Sequence, residues 1–310
     1  ITTPSVNEKF AKVNVLTKVV LPEGADPAKY SVETSVWNPN KQKLTAVRTS
    51  LAQMKYNNDQ AEQEFVIQDP SLWSPEMPAL YSAETRLYEG DKLKDVYTTP
   101  FGIRSIEIIP DKGFFLNGRR TVFKGVCNHH DLGPLGAAVN DAAIRRQIRI
   151  LKDMGCSAIR TSHNMPAPEL IRACDEMGMM IMAESFDEWN VAKCKNGYNL
   201  LFDEWAEKDL VNLLHNFRNN PSVVMWCIGN EVPNQWNEGD TKIAKWLQDI
   251  CHREDPTRPV TQGMDAPDAV VNNNFAAVMD VAGFNYRPFK YKVNYKKLPQ
   301  RIVLGSETAS

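Results

Sequence analysis

The sequence lacks the features that would place it quickly in several large classes. No apolar run is long enough to cross a bilayer as a helix, so no membrane partner is expected. There is no cationic excess: 36 Lys and Arg face 38 Asp and Glu, a formal net charge of −2 that gives no footing for nucleic acid. The six cysteines are scattered without CxxC spacing, so neither a disulfide framework nor a zinc site is indicated. Cys127 and Cys227 fall in apolar strand-like runs and Cys174 and Cys251 on helical faces, and all four read as buried free thiols. The chain opens on Ile1-Thr2-Thr3-Pro4, with no initiator Met, basic segment or apolar leader. It reads as an excised or processed segment.

What is present is an ordinary globular composition, 43% hydrophobic and 24% charged, over 310 residues, enough for two domains. Residues 1–109 show strand-like alternation and few helix signals. Val13, Val15, Thr17 and Val19 alternate with polar partners, as do Val32, Thr34 and Val36, then Phe65 and Ile67, then the run from Leu80 to Tyr88. Turn clusters at Asn38-Pro39-Asn40, Asn57-Asn58-Asp59 and Glu89-Gly90-Asp91 separate them. The pattern predicts an all-β, immunoglobulin-like sandwich acting as scaffold.

From Pro110 the pattern changes. Phe114 to Arg119 reads as a hairpin turning on Asn117-Gly118. Apolar strands at 122–127, 158–160, 179–183, 223–228, 259–262, 281–286 and 302–307 then alternate with amphipathic helices. One helix carries Ile144, Ile148 and Leu151, the next Leu170, Ile171, Cys174 and Met177, a third Leu210, Leu213, Leu214 and Phe217. The last presents Ile243, Trp246, Leu247, Ile250 and Cys251 on one face. Repeated βα units imply a parallel sheet, and seven of them predict a (β/α)8 TIM barrel over 110–310 lacking its last βα unit. A doubly wound open sheet is the competitor, weakened by the absence of a Gly-rich loop after the first strand.

Each strand ends on polar residues: His129-His130-Asp131, then Arg160 and His163, then Glu184 with Asp187 and Glu188. Asn230-Glu231, Gln262, Tyr286 and Glu307 follow. In a barrel these tips share one mouth, the face where such folds place their chemistry. Two carboxylates on opposing tips, Glu231 and Glu307, suit glycoside hydrolysis, and an Arg and a Tyr nearby suit holding one of them ionised. Asp131 and Asp187 read either as sugar-binding groups or as turn carboxylates. Trp226 belongs to the core of its strand, whereas Trp189 and Trp236, in loops, are candidates for stacking on a sugar face.

Arg218-Asn219-Asn220-Pro221-Ser222-Val223-Val224-Met225-Trp226, continuing to Asn230-Glu231, resembles the acid/base signature of family 2 glycoside hydrolases, the β-galactosidase and β-glucuronidase family. Ser157-Ala158-Ile159-Arg160-Thr161-Ser162-His163 and Asp175-Glu176-Met177-Gly178 resemble its other signature. Leu72-Trp73-Ser74-Pro75, Pro78-Ala79-Leu80-Tyr81 and Phe101-Gly102-Ile103-Arg104 resemble the end of its sandwich domain. The resemblance covers nearly the whole chain, without the family's N-terminal jelly roll or the end of its barrel. It implies that Glu231 is the acid/base and Glu307 the nucleophile. It further implies that Asn230 holds the sugar 2-hydroxyl, Arg160 and Tyr286 support the nucleophile, His163 contacts the sugar, and His129 or His130 lines the subsite.

Two departures stand out. His163-Asn164-Met165-Pro166 replaces the family's His-Tyr-Pro, and Asn190 stands near the place of a His that, with a Glu matched here by Glu188, binds magnesium in some bacterial members. No metal or other cofactor is therefore expected to be required, with magnesium or sodium the ions left open.

The expected activity is a retaining exo-β-glycosidase acting on terminal β-D-galactosides, with β-glucuronidase or β-mannosidase as alternatives. A metal-dependent hydrolase using His129, His130, Asp131 and His163 is a second reading, disfavoured because adjacent strand residues point to opposite faces. A third is a catalytically incompetent fragment that binds carbohydrate at most weakly. Carbohydrate is the expected partner, homo-oligomers of the full-length protein are compatible with the sequence, and a bacterial periplasmic or secreted location is favoured over the cytoplasm.

Overall fold

The computed structural model describes residues 1–53, 60–236 and 241–309. The expected turn at Asn57-Asn58-Asp59 lies outside them. Contacts divide the chain into two compact units, Ile1–Ser105 with Asn219–Pro221, and Ile106–Arg218 with the chain from Ser222 onward.

The first unit holds seven antiparallel strands: β1 (Thr2–Val6), β2 (Phe10–Lys18), β3 (Tyr30–Trp37), β4 (Lys43–Ser50), β5 (Gln60–Gln68), β6 (Tyr81–Glu89) and β7 (Lys92–Phe101). They form two sheets, β1-β2-β5 and β4-β3-β6-β7. Alternation explains the packing. Ala11, Val13 and Val15 of β2 and Phe65 and Ile67 of β5 meet Val36, Tyr81, Ala83 and Phe101 from the other sheet in one buried cluster. The sequence pattern had located β2, β3, β5 and β6; β1, β4 and β7 carry mostly exposed side chains and gave little signal.

The second unit begins earlier than the sequence boundary at Ile109. Strand β8 (Ile106–Ile109) pairs with β9 (Gly113–Leu116), which turns at Asn117-Gly118, both at positive φ, into β10 (Arg119–Arg120). Seven parallel strands follow: β11 (Gly125–Asn128), β12 (Ala158–Thr161), β13 (Met180–Glu184), β14 (Val223–Asn230), β15 (Val260–Met264), β16 (Val281–Asn285) and β17 (Val303–Glu307). Their order in the sheet is their order in the chain. The sheet curls until the Cys127 thiol of β11 donates to the Ser306 carbonyl of β17 at 3.4 Å.

Helices fill the crossovers: α1 (Asp141–Asp153), α2 (Pro168–Met177), α3 (Phe202–Phe217), α4 (Thr241–Glu254), α5 (Pro267–Asn272) and α6 (Tyr291–Tyr295). Helix α1 starts where the Asn140 side chain accepts from Ala143 N–H, and α2 starts on Pro168 and stops at Gly178 in the left-handed region. Their apolar faces bury Ile148, Ile171, Leu210, Leu214 and Leu247 against the sheet. Trp246, expected on the buried face of α4, instead lies 37% exposed with its ring edge-on to Phe202. All eight residues of β14 are buried, as its unbroken apolar run requires of a central parallel strand. None of the described helices is long and apolar enough to cross a membrane.

Candidate active site

Parallel pairing sends the C-terminal tips of β12, β13, β14, β16 and β17 to one end of the sheet. Arg160, on β12, sits at their centre with a side chain 2% exposed. Its Nε and Nη2 donate to the two oxygens of Glu184 at 2.5 and 3.1 Å, Nη2 donates also to Asn230 Oδ1 at 2.9 Å, and Nη1 donates to Glu307 Oε2 at 3.2 Å. Burial opposes the guanidinium charge, but the Glu184 carboxylate outweighs it and pushes the Arg160 pKa further up. One cation therefore fixes groups from four strands.

Glu307 is held from several directions. Tyr286 donates its hydroxyl to Oε1 at 2.7 Å, and Asn285 Nδ2 lies 3.4 Å from Oε2. The bond to Glu307, with burial, raises the Tyr286 phenol to about 12, so it remains a donor throughout the neutral range. Glu231 follows β14 with φ at +43° and Tyr286 follows β16 with φ at +55°, a region that non-glycine residues seldom occupy and that recurs at functional sites. Backbone bonds hold both: Glu231 N–H donates to Gly263 O at 2.7 Å and Tyr286 N–H to Glu307 O at 2.5 Å.

Sequence reasoning missed Asn285. Its side chain is wholly buried, and Nδ2 lies 2.8 Å from Glu231 Oε1, 2.9 Å from Asn230 Oδ1 and 3.4 Å from Glu307 Oε2. Two carboxylate oxygens sharing one nitrogen at 2.8 and 3.4 Å are no more than about 6 Å apart, short of the ~6.5–9.5 Å of inverting glycosidases. Ser306 donates to Asn285 Oδ1 at 2.8 Å, which sets the amide with its NH2 toward the carboxylates. The available signal was an Asn ending an apolar strand, which alone reads as a strand terminus.

The remaining candidates separate clearly. His163 donates or accepts through Nδ1 at Glu184 Oε1, 3.0 Å away, and its Nε2 is 3.9 Å from Glu307 Oε2. His129 meets His163 edge-on at 4.9 Å between ring centroids. His130 instead contacts the Ala137 carbonyl at 3.1 Å, so of the two neighbours only His129 joins the carboxylates. Asp131 accepts from Gly133 N–H at 2.5 Å and is a turn carboxylate, outside the cluster. Asp187 accepts from Asn230 Nδ2 at 3.0 Å and from Lys193 Nζ at 2.7 Å. Burial works to raise the Asp187 pKa, but these two bonds outweigh it and hold it below the usual carboxylate value.

Two expectations are corrected. Trp189 is no sugar platform: it is wholly buried, with its indole N–H on the Ile228 carbonyl at 2.8 Å, while Trp236 is 60% exposed. Gln262 is also wholly buried, and the next residue, Gly263, is the one facing Arg160 and Asn285, because strand side chains alternate.

Ligand atoms of His129, His163 and Glu307 come within 4.8 Å of one another, the residues best grouped to meet a cation. Glu307 and His163 are already engaged by Arg160, Tyr286 and Glu184. Glu188 spends both oxygens on backbone N–H groups, of Lys193 at 2.6 Å and Asn199 at 2.9 Å, and Asn190 accepts from Asn234. A cavity of about 630 Å³ opens beside Glu307, Arg160 and His129, walled below by Met182, Met225 and Leu304.

Residues 107–304 match the glycosyl hydrolases family 2 TIM barrel domain, and residues 1–104 match a second glycosyl hydrolases family 2 domain. The chain belongs to glycosyl hydrolase family 2. Its family 2 relatives include a β-galactosidase of Bacteroides ovatus, 38% identical over 92% of this chain and 37% of that protein. A β-glucuronidase of Bacteroides fragilis is 28% identical over 84% of this chain and 37% of its own length. Among solved structures, a family 2 member from Bacteroides cellulosilyticus superposes with a TM-score of 0.92 at 35% identity, covering 99% of this chain and 39% of that one. The chain thus spans a little under two fifths of the length of these relatives. The sandwich and the curled parallel sheet are the family's sandwich and TIM-barrel domains.

Proposed function

We propose that the protein containing this chain is a retaining exo-β-glycosidase that releases terminal β-D-galactose. The observation that carries the reading is the pair Glu231 and Glu307, bound to one Asn285 amide at the spacing of a double displacement. Glu307, ionised beside Arg160 and bonded by Tyr286, attacks the anomeric carbon. The glycosidic bond breaks and its oxygen takes the proton of Glu231. In the second half, Glu231 takes a proton from water, the hydroxide adds to the anomeric carbon, and the ester bond breaks to return Glu307 as carboxylate.

Asn230 Nδ2, one N–H given to Asp187, offers the other to the sugar 2-hydroxyl, and His163 and His129 line the same side. No step calls for a metal, since Arg160 supplies the positive charge at Glu307.

Galactose is preferred because His129-His130-Asp131-Leu132-Gly133 is similar to bacterial β-galactosidase-like members and because a β-galactosidase is among the relatives. A β-glucuronidase is equally represented among them and is the alternative. A panel of nitrophenyl β-glycosides offered to the full-length enzyme decides between the two: turnover of the glucuronide but not the galactoside would reject galactose. Glu231→Gln should lower kcat/KM for aryl glycosides by about 10²–10⁴-fold. Normal turnover in Glu307→Gln would refute the nucleophile assignment.

A further inference from the structure

We infer that Asn285 is a positioning residue that follows the negative charge between the two carboxylates, donating to Glu307 before the sugar is attached and to Glu231 afterwards. The inference rests on the retaining reading above. Three acceptors surround one nitrogen, Glu231 Oε1 at 2.8 Å, Asn230 Oδ1 at 2.9 Å and Glu307 Oε2 at 3.4 Å, and an amide nitrogen has only two hydrogens. The amide therefore chooses among them, and a donor in a dry site is drawn to whichever oxygen bears charge.

The reaction moves that charge. In the free enzyme it lies on Glu307. Once Glu307 is esterified and Glu231 has given up its proton, it lies on Glu231. A donor able to reach both without moving its own Cα stabilises the ionised partner in each half-reaction, the preorganisation on which electrostatic catalysis depends.

The surroundings fix the amide in that role. Oδ1 is anchored by the Ser306 hydroxyl at 2.8 Å, so the ring of contacts does not admit the flipped amide without losing that bond. Gly263 leaves the space: a Cβ there would lie 2.9 Å from Asn285 Oδ1 and 2.5 Å from Arg160 Nη2. The charged and titratable groups facing Asn285 are Glu231 and Glu307 in contact, Arg160 and Tyr286 around Glu307, and Glu184 with His163 behind Arg160. Burial raises the nearby thiols of Cys127 and Cys227, the latter to about 12, so neither changes charge near neutrality.

The pH profile of kcat/KM separates this role from a general structural one. Loss of a donor to a carboxylate makes that carboxylate easier to protonate, which moves the limb it controls to higher pH. In the full-length enzyme with a nitrophenyl β-galactoside (or the glycoside the wild type prefers), Asn285→Ala should move both limbs up by about one pH unit. It should lower kcat/KM by about 10- to 100-fold. Tyr286→Phe, which removes a donor from Glu307 alone, should move only the acid limb. Asn285→Asp keeps the shape and the Ser306 contact but adds a like charge, and should move both limbs further. If Asn285→Ala does not fold, Asn285→Asp and Ser306→Ala decide the matter, the latter through smaller shifts in the same direction. Reduced activity with both limbs in place, or movement of one limb only, overturns the inference. A wild-type enzyme with no glycosidase turnover removes the reading beneath it, and the inference with it.

Discussion

At the scale of single residues, the site is an arrangement of donors around three carboxylates, and Arg160 is the residue on which most of it depends. Glu184 is wholly buried and has its charge matched by this guanidinium. Arg160→Ala would leave that carboxylate buried without its cation, so a loss of about 3–5 kcal/mol in folding stability is expected from urea unfolding. Arg160→Lys should fall between, because an ammonium keeps the charge but cannot reproduce the two-pronged contact. The residue types at the strand tips were readable because a carboxylate, an Arg or a Tyr ending an apolar run is conspicuous. Asn285 was not, since its importance arises from contacts with β14 and β17 that its neighbours in sequence do not foreshadow. Trp189 misled for the opposite reason: loops usually run over the surface, yet this one folds its indole into the core beside Phe202 and Phe275.

Whole elements depend on contacts of a different kind. The turn from α4 into β15 is fastened to β14 by Asp255, which accepts from the Trp226 indole at 3.0 Å and from Arg258 Nη1 at 2.6 Å. Burial would raise the Asp255 carboxyl, but Arg258 and Thr257 outweigh it and hold it below the usual value. Its folded pKa lies below the unfolded one, so its contribution to stability is complete above about pH 4 and is lost as pH falls through the folded value. Asp255→Asn should therefore be destabilised at neutral pH and show a shallower acid decline than wild type in thermal melts.

On β15, Gly263→Ala tests the tolerance of the site itself. Arg160 and Asn285 are both pinned and cannot yield to a Cβ, so kcat should drop and stability fall by about 1–3 kcal/mol, read by kinetics and unfolding together. Helices and central strands were legible because their burial is periodic or continuous. Strands such as β7, with almost every residue exposed, owe their place to pairing with β6, which no local pattern records.

For the molecule as a whole, the alternation of apolar strands with helices was enough to predict a parallel sheet, and seven strands in chain order are what the structure holds. The boundary between units was less legible, because the strand at Ile106–Ile109 looks the same whichever partner it takes. All six cysteines are free, and only Cys194 is exposed. The unfolding midpoint should not change with dithiothreitol, and a thiol reagent should label Cys194 first in the native protein; a reductant-sensitive midpoint would contradict the free-thiol assignment.

The strand order has a consequence for biosynthesis. Because each parallel strand pairs with the one before it, the sheet can grow as the chain leaves the ribosome, N-terminal strands first. Arg160 and Glu184 lie on consecutive strands and can neutralise each other early. Glu307, 147 residues beyond Arg160, reaches a cation already in place. The nascent chain thus never has to bury that arginine uncompensated while it waits for its second carboxylate.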